Sequence, residues 1–495
     1  MLVDNDVRRD SRVQKQAVSM AERGWDVTLL GINVTGEPVE GWDVGGARVE
    51  LVPFIPQRPI RPHAKRPPRL RSPLASRTNA RGTTLRVWSQ ARVSDLVFRS
   101  ATASTAAGRT WCRVRLVGAR AVLAWRTFRS SRNARVAKAR RTMAGPIDRF
   151  TTHAQIDLRR SSSWSVLDPS LAKWDDAFAP AIAALEPDLI HANDCRMLFV
   201  GARATFRARA QGRDTKLVWD AHEFMPGVES DTAHPRMIPA LQQLERHYAK
   251  YADAVTTVSE PIADLTQRHH RLRDRPVVVL NAPIVSPDQT PAAPSVRERC
   301  DLGADIPLVV YSGYVHPQRG VSVVIDALAA ILDLHAAFVV SQLDSPALLD
   351  LLARAEDLGV RDRVHLLPYV PIEQIVDYLS SATFGTHSLI HMMNHEVSLA
   401  TKFYEYSQAR LPIVGSDVKV MAETIRRTGQ GEVFVAGDSD DFVRAARLVL
   451  ADPDAYRRAY DAPGLLDSWT WEHQAGVLFG VYDRLVPVNT AGVAS

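Results

Sequence analysis

The sequence predicts an α/β protein built from two tandem doubly wound units, and three observations carry that expectation. Short apolar runs, each ending in a polar cluster, alternate with stretches of helical periodicity in both halves of the chain. A break at 282–295, with Pro283, Pro287, Pro291 and Pro294, has no apolar periodicity. The length of 495 residues is about three times a typical domain of ~150 residues. With 46% hydrophobic and 23% charged residues, the chain can fill more than one large core.

Taken in order, Met1-Leu-Val reads as the tail of a buried strand whose beginning is expected upstream of the printed start. Asp10 or Ser11 can cap a helix with the buried stripe Val13, Ala17, Met20 and Ala21, ended by Gly24. A buried strand follows at 25–31. After a long basic segment the rhythm resumes, with strands at 188–191, 217–219, 254–258 and 277–280. Beyond the break come 307–313, 337–340, 364–367, 384–389, 413–414 and 433–435, then a closing helix within 469–486. The expected organisation is one unit over 1–281 with an insertion at 58–160, a linker at 282–295, a second unit over 296–465, and a closing helix and tail at 466–495. In parallel sheets of this kind, ligands sit beyond the carboxyl ends of the strands, where the polar clusters fall.

The formal net charge of +6 conceals an asymmetry. Residues 58–160 hold 25 Lys/Arg against Asp95, Asp148 and Asp157, a net of +22, which leaves −16 for the remainder. Within this mostly helical segment Trp111, Val114, Val117, Ala121, Val122, Trp125 and Phe128 recur at helical spacing, with Arg113 and Arg120 opposite. A solvated insertion and an anionic membrane surface are both open readings. No nucleic acid is expected, because no reading module surrounds the charges. Three dispersed cysteines argue against a disulfide framework and fit a reducing cytosol. No apolar run of ~18 residues predicts a transmembrane helix, and no signal peptide is recognisable. The expected location is cytoplasmic, with a peripheral position on the inner face of a membrane as an extension of the basic-segment reading.

Two stretches carry the candidate chemistry. Tyr311-Ser-Gly313 through Arg319-Gly320 follows a strand and opens a helix, so backbone N–H groups and a cation can meet a phosphate. It is no dinucleotide fingerprint, and the loop 4–10 lacks glycine altogether, which sets nicotinamide binding aside. In the second stretch Ser398, Lys402 and Glu405 would share one helical face. There the carboxylate suits sugar hydroxyls and the lysine suits phosphate; a plain i, i+3 ion pair is the alternative.

In combination these segments resemble the family-4 glycosyltransferases of the GT-B fold. The similar pieces are Asp4-Asn-Asp to Thr28, Pro187-Asp-Leu-Ile-His-Ala-Asn-Asp194, Trp219-Asp-Ala-His-Glu223, Ala252 to Glu260, Ser312 to Gly320, Leu367-Pro-Tyr-Val370, and Ser398 to Pro412. The likeness spans roughly 1–55 and 165–485. It implies two Rossmann-like domains, the first on the acceptor side and the second binding a nucleotide-sugar. It implies transfer of a hexosyl-type sugar from a nucleotide-diphosphate donor (UDP- or GDP-linked) to an acceptor hydroxyl. Retention and independence of metal follow from the same resemblance, with the nucleotide-sugar as co-substrate and no separate cofactor. The acceptor would be a cell-envelope glycan, a glycolipid or a secondary metabolite. By position, Gly313, Arg319 and Gly320 would meet the diphosphate, Pro368, Tyr369 and Val370 would line the base, and Glu405 would hold the ribose, beside Ser398 and Lys402. His222 and Glu223 would face the cleft as catalytic groups. Val397 stands where the family's first glutamate falls, and Glu396 is one residue off.

Competing readings remain. A nucleotide-sugar epimerase shares the architecture, and an inactive membrane-surface scaffold would use the basic segment alone. His387, His391 and His395 would align as metal ligands on a helix, but 384–389 reads as a strand running into a loop, where they diverge. Asp438-Ser-Asp-Asp441 reads as a helix cap, and His269-His270 as a solvated loop.

Overall fold

The computed structural model describes residues 1–35, 39–54, 74, 79–142, 146–229, 236–285 and 294–487. Pro287 and Pro291 of the linker, much of 58–78 and the tail beyond 487 lie outside the described residues. The chain forms two compact units: Met1–Ile55, Lys173–Val228 and Glu245–Ser495 make the first, Pro56–Ala172 and Glu229–Leu244 the second.

The first unit holds two sheets, parallel but for one hairpin. Strands β1 (Thr28–Asn33), β2 (Trp42–Val44) and β3 (Ala47–Pro53) lie in the order β1-β3-β2. Strands β4 (Leu189–Asn193), β5 (Lys216–Ala221), β6 (Ala254–Thr257) and β7 (Val277–Val278) pair in sequence. Residues 1–3 join the two sets: Leu2 N donates to His191 O (2.8 Å), and Val3 N donates to Leu30 O (3.0 Å). All pairings except β2–β3 are parallel. The β2–β3 hairpin turns on Gly45-Gly46, with Gly45 at φ +56°. That pair of strands went unrecognised in the sequence, although a Gly-Gly pair before the alternation Ala47-Arg-Val-Glu is a hairpin signature.

The second sheet contains β8 (Leu308–Ser312), β9 (His335–Val339), β10 (Val364–Leu367), β11 (Phe384–His387), β12 (Ile413–Ser416) and β13 (Gly431–Phe434). Its order, β10-β9-β8-β11-β12-β13, is parallel throughout. Strand order therefore reverses between β8 and β11, and a crevice opens at such a switch point beyond the carboxyl ends. Alternation along β8 explains the two helical layers. Val309 and Tyr311 enter one buried cluster with Val324 and Phe338, while Leu308 and Val310 enter another with Tyr378 and Phe403. Asp438 caps the helix Ser439–Ala451 as its sequence suggests, accepting from the amides of Asp440 and Asp441 (both 3.0 Å).

The helix Trp471–Leu485 leaves the second sheet and packs into the core of the first, where Trp471, Leu478 and Val481 join Val3, Val13 and Met20. Trp471 Nε1 donates to Ser19 Oγ (2.8 Å). The second unit is dominated by two long helices, Asn79–Thr102 and Ala106–Thr142, joined by a three-residue turn. They meet along Gly82, Ser89 and Leu96, which are buried, and Cys112, Leu116, Ala119 and Leu123, which are partly so. Arg126 Nη1 crosses the seam to Ser89 Oγ (2.7 Å).

Candidate functional site

At the β8–β11 switch point the chain after β8 passes through Gly313 and a tight turn at Pro317–Arg319 into the helix Ser322–Ala330. Gly320 has φ +62°, and a Cβ there would lie 2.1 Å from Ser388 O. The turn is tied to the segment after β11: Ser388 Oγ donates to Arg319 O (2.9 Å), and Ile390 N donates to Gln318 O (3.3 Å). No side chain caps the first amides of the helix that follows. Arg319 itself is partly exposed, and among the described residues its guanidinium has no hydrogen-bond or carboxylate partner. An unneutralised cation on the turn that leads into uncapped amides is an arrangement that can accept an anion.

Glu405, on the helix Thr401–Gln408, is 6% exposed and takes Lys402 Nζ on both oxygens (3.1 and 2.9 Å). Lys402 Nζ also stands 5.3 Å from the centre of the Tyr369 ring. Tyr369, between Pro368 and Val370, follows the carboxyl end of β10. Burial alone would lower the Lys402 pKa, but Glu405 and Tyr369 outweigh it and the ammonium is held above its ordinary value. The i, i+3 ion pair expected as an alternative therefore forms, largely buried in the first turns of the helix Thr401–Gln408. Ser398 does not share the helical face. It is extended (φ −135°, ψ 157°) between the helices Met393–Val397 and Thr401–Gln408, its hydroxyl donating to Asn394 O (2.7 Å). The corrected reason is local: Ala400 starts a new helix, so the spacing of four spans a break.

Glu396 points to other work. Its Oε2 accepts from Lys419 N (2.7 Å) at the start of the helix Lys419–Thr428, and its Oε1 faces His391 Nδ1 (2.6 Å). The three histidines diverge as the strand-to-loop reading requires. His391 is exposed between Glu396 and Asp417, and His395 Nδ1 meets Ile390 O (2.8 Å). His387 is buried at the end of β11. Burial, with Arg319, His395 and Lys402 nearby, lowers its pKa to about 3. Among the described residues no three His, Cys, Asp or Glu side chains converge as metal ligands.

The carboxyl ends of the first sheet carry a second cluster. Asp220, at the end of β5, is fully buried and accepts from Arg12 Nε (2.8 Å) and Nη2 (2.9 Å), Gln16 Nε2 (2.7 Å) and Thr256 Oγ1 (2.9 Å). His222 Nε2 lies 2.9 Å from the same carboxylate, and its Nδ1 lies 3.6 Å from Asp194 Oδ1. Burial opposes the imidazolium, but Asp194 and Asp220 more than offset it, raising the His222 pKa to about 9. Asp194 is also raised from its ordinary value: burial, with Asp4 and Glu223 adding to it against His222, takes it to about 7. Its backbone sits at φ +63°, a strained conformation for a non-glycine residue. Glu223 is exposed.

These two clusters face each other within one compact unit. Phe224 N donates to Asn394 Oδ1 (3.1 Å), Ser259 Oγ donates to Val397 O (2.6 Å), and Gly227 leaves room for Met393. Sequence reasoning missed Arg12, Asp194 and Asp220, although Arg12 and Gln16 stand four apart on one helical face and Asp220 ends an apolar run. His270 was misjudged: it is not a solvated loop residue but is buried against Glu245 (2.8 Å).

The sequence over 153–285 matches the family described as Glycosyltransferase Family 4, and 297–462 matches Glycosyl transferases group 1. The chain is 26% identical over 258 residues to a D-inositol 3-phosphate glycosyltransferase of Streptomyces coelicolor, covering 49% of this chain and 53% of that one. It is 25% identical over 255 residues to the alpha-D-kanosaminyltransferase of Streptomyces kanamyceticus, covering 50% and 64%. The chain thus spans about half the length of the curated relatives it matches. Among solved structures, sucrose-phosphate synthase from Thermosynechococcus elongatus aligns over 96% of this chain and 92% of its own, with TM-score 0.60 and 14% identity. Anabaena HepE in complex with UDP and glucose aligns over 66% and 83%, with TM-score 0.51 and 19% identity. Two family matches in the order of the two sheets, on this fold, place the chain among the family-4-like glycosyltransferases of the GT-B fold.

Proposed function

We propose that this protein moves a sugar from a nucleoside-diphosphate donor to an acceptor hydroxyl, with retention of configuration and without a metal ion. The observation that carries the reading is the unpartnered Arg319, fixed at the β8–β11 switch point by the Gly320–Ser388 clamp, beside the Lys402–Glu405 pair. A departing diphosphate develops negative charge, and a site without a metal must meet it with cations and backbone donors. Arg319, Lys402, the Gly313 turn and the uncapped helix start form that set. Glu405 has two oxygens that can turn from Lys402 to a pair of ribose hydroxyls, and Tyr369, with Pro368 and Val370, offers a face to the base. On the opposite wall His222 carries its charge at neutral pH, and a fixed imidazolium there can orient a hydroxyl of the transferred sugar. Asp194 stands 3.6 Å from the same imidazole, and the exposed Glu223 follows His222 in the chain.

HepE is described with UDP and glucose, which makes UDP-glucose the first donor to test. One relative is named for D-inositol 3-phosphate and another for transfer of a kanosaminyl group, so phosphorylated polyols, then envelope glycans, are the first acceptors to test. The proposal extends to place: a cytoplasmic protein working at the inner face of a membrane. No described helix is long and apolar enough to cross one, while the basic helical pair exposes Trp and Arg together.

The test is a thermal-shift screen with UDP, GDP and their sugars, followed by turnover. The true nucleotide raises the melting temperature, because it binds only the folded state. Arg319→Ala and Glu405→Ala should each lower kcat/KM by ~10²-fold or more, the usual cost of removing one preorganised charge partner. Unchanged turnover in both variants would overturn the assignment. Conversion of the donor into an epimeric nucleotide-sugar, without any acceptor and without net nucleotide release, would identify an epimerase instead.

A further inference from the structure

The outward face of the helix Ala106–Thr142 has no role in the proposed reaction, yet it is the most unusual surface among the described residues. One side of the helix packs on its neighbour through Cys112, Leu116, Ala119 and Leu123. On the other side stand Trp111, Val114, Ala121, Trp125 and Phe128 at successive spacings of three, seven, four and three, flanked by Val117 and Val122. Trp111 and Val114 are each 62% exposed, Val117 69% and Trp125 50%. The partner helix Asn79–Thr102 adds Trp88 and Phe98, each 67% exposed. Soluble surfaces seldom leave so many large apolar side chains contiguous and uncovered.

Charge borders this apolar arc on both edges. Arg113 and Arg120 line one edge and Arg115 the other, where its guanidinium stands 5.9 Å from the Trp111 ring centre. Residues 79–133 contain eleven arginines, no lysine and a single acid, Asp95, which pairs with Arg99 (3.0 Å). Arginine forks onto phosphate oxygens, and tryptophan at a helix edge settles at the boundary between hydrocarbon and headgroups. The charges keep the helix from crossing a bilayer, so it must lie in the plane.

From this surface we infer that the outward face of Ala106–Thr142 is a membrane-attachment site for anionic phospholipid, with Trp111, Val114, Val117, Trp125 and Phe128 in the acyl boundary and Arg113, Arg115 and Arg120 on lipid phosphates. Two features favour a bilayer over other occupants. A second copy would bring another strongly positive face against the first. A nucleic acid would satisfy the arginines but leave Val114, Val117 and Val122 in water. The inference rests on the proposed reaction only for its purpose, which is to hold the enzyme where a lipid-linked acceptor resides.

The experiment is flotation of the full chain with phosphatidylcholine vesicles, pure or doped with phosphatidylglycerol. Doped vesicles should carry the protein at least ~10-fold better than pure ones, and added salt should reduce binding. Trp111→Ser/Trp125→Ser/Phe128→Ser should cut flotation by ~10-fold or more with helix content unchanged by circular dichroism. Arg113→Gln/Arg120→Gln should erode the preference for phosphatidylglycerol. Failure of the unaltered protein to float, or flotation of the triple variant at the unaltered level, would overturn the inference. So would retardation of an RNA or DNA oligomer without flotation, which marks a nucleic-acid surface, or a dimer that the triple substitution dissolves, which marks a second copy. Nucleotide-induced stabilisation is measured on the same samples, so a failure of attachment and a failure of the transferase reading are told apart.

Discussion

Asp220 is buried beyond reach of water and is satisfied by Arg12, Gln16, Thr256 and His222 together. Burial alone would protonate it, but the neighbouring guanidinium and imidazolium hold it well below its ordinary value. The carboxylate in turn keeps His222 charged up to a pKa of about 9, against an ordinary 6.5. The stabilisation from this raised histidine is therefore fully present below about pH 6.5 and is lost as pH climbs through 9. Asp194 has the same sense over a lower window: its raised value of about 7 makes the folded state resist ionisation, so stability from that group also declines as pH rises, between about pH 4 and 7. If the charged form of His222 serves the reaction, kcat/KM should fall on an alkaline limb near pH 9. Asp220→Asn should move that limb downward by a unit or more, toward the ordinary histidine value. An NMR titration of the imidazole and a pH–rate profile check both statements; an alkaline limb that stays put in the variant would break the link. Removing one partner of this buried group also leaves Arg12 short of its counter-charge, so a loss of ~3–5 kcal/mol in stability is expected alongside.

At the scale of elements, the turn between β8 and its helix shows how a loop holds a charge in place. Gly320→Ala adds a Cβ that would meet a backbone oxygen at 2.1 Å in a left-handed conformation. The left-handed backbone alone costs ~1–2 kcal/mol, and the clash must displace Ser388 or the Arg319 turn. Nucleotide binding should weaken together with stability. Gly437→Ala makes the contrast, since φ is +81° there with nothing within 4 Å, so only the conformational cost applies and nucleotide affinity should hold. Equal effects on nucleotide affinity in the two variants, read by calorimetry, would refute the clamp. The same element shows what is legible in a sequence. Apolar runs ending in polar clusters mark β4, β5, β8 and β11 because a parallel strand buried on both faces needs an unbroken apolar run. Gly313, Arg319, Lys402 and Glu405 follow from spacing because each lies within one short segment. The break at Ser398 is hidden, since a helix that stops and restarts keeps the same residue types. The Arg12–Asp220 bond is hidden as well: it joins positions 208 residues apart, and no local pattern encodes such a distance.

Across the whole molecule, the decisive piece is the helix Trp471–Leu485, which belongs by sequence to the end of the chain and by packing to its beginning. Trp471 N donates to Pro283 O (2.7 Å), its indole bonds Ser19, and its ring stands 4.8 Å from Lys15 Nζ. Lys15 also donates to Asn281 Oδ1 (3.1 Å) and to Ala282 O, at the point where the chain leaves the first sheet. Burial lowers the Lys15 pKa to about 7, with Glu405 of the opposite wall pulling it back up. One helix thus seals the first core and is bonded to the segment 281–283 by which the chain leaves the first sheet. The two sheets should consequently unfold as one calorimetric transition, and a nucleotide that touches only the second sheet should raise the temperature of the whole transition. Trp471→Ala removes a buried indole and its hydrogen bond, worth ~3–5 kcal/mol. That loss should uncouple the halves, giving a first-sheet transition at lower temperature that nucleotide no longer shifts. A single nucleotide-responsive transition in the variant, or two independent ones in the unaltered protein, would show that the closing helix does not join the halves energetically.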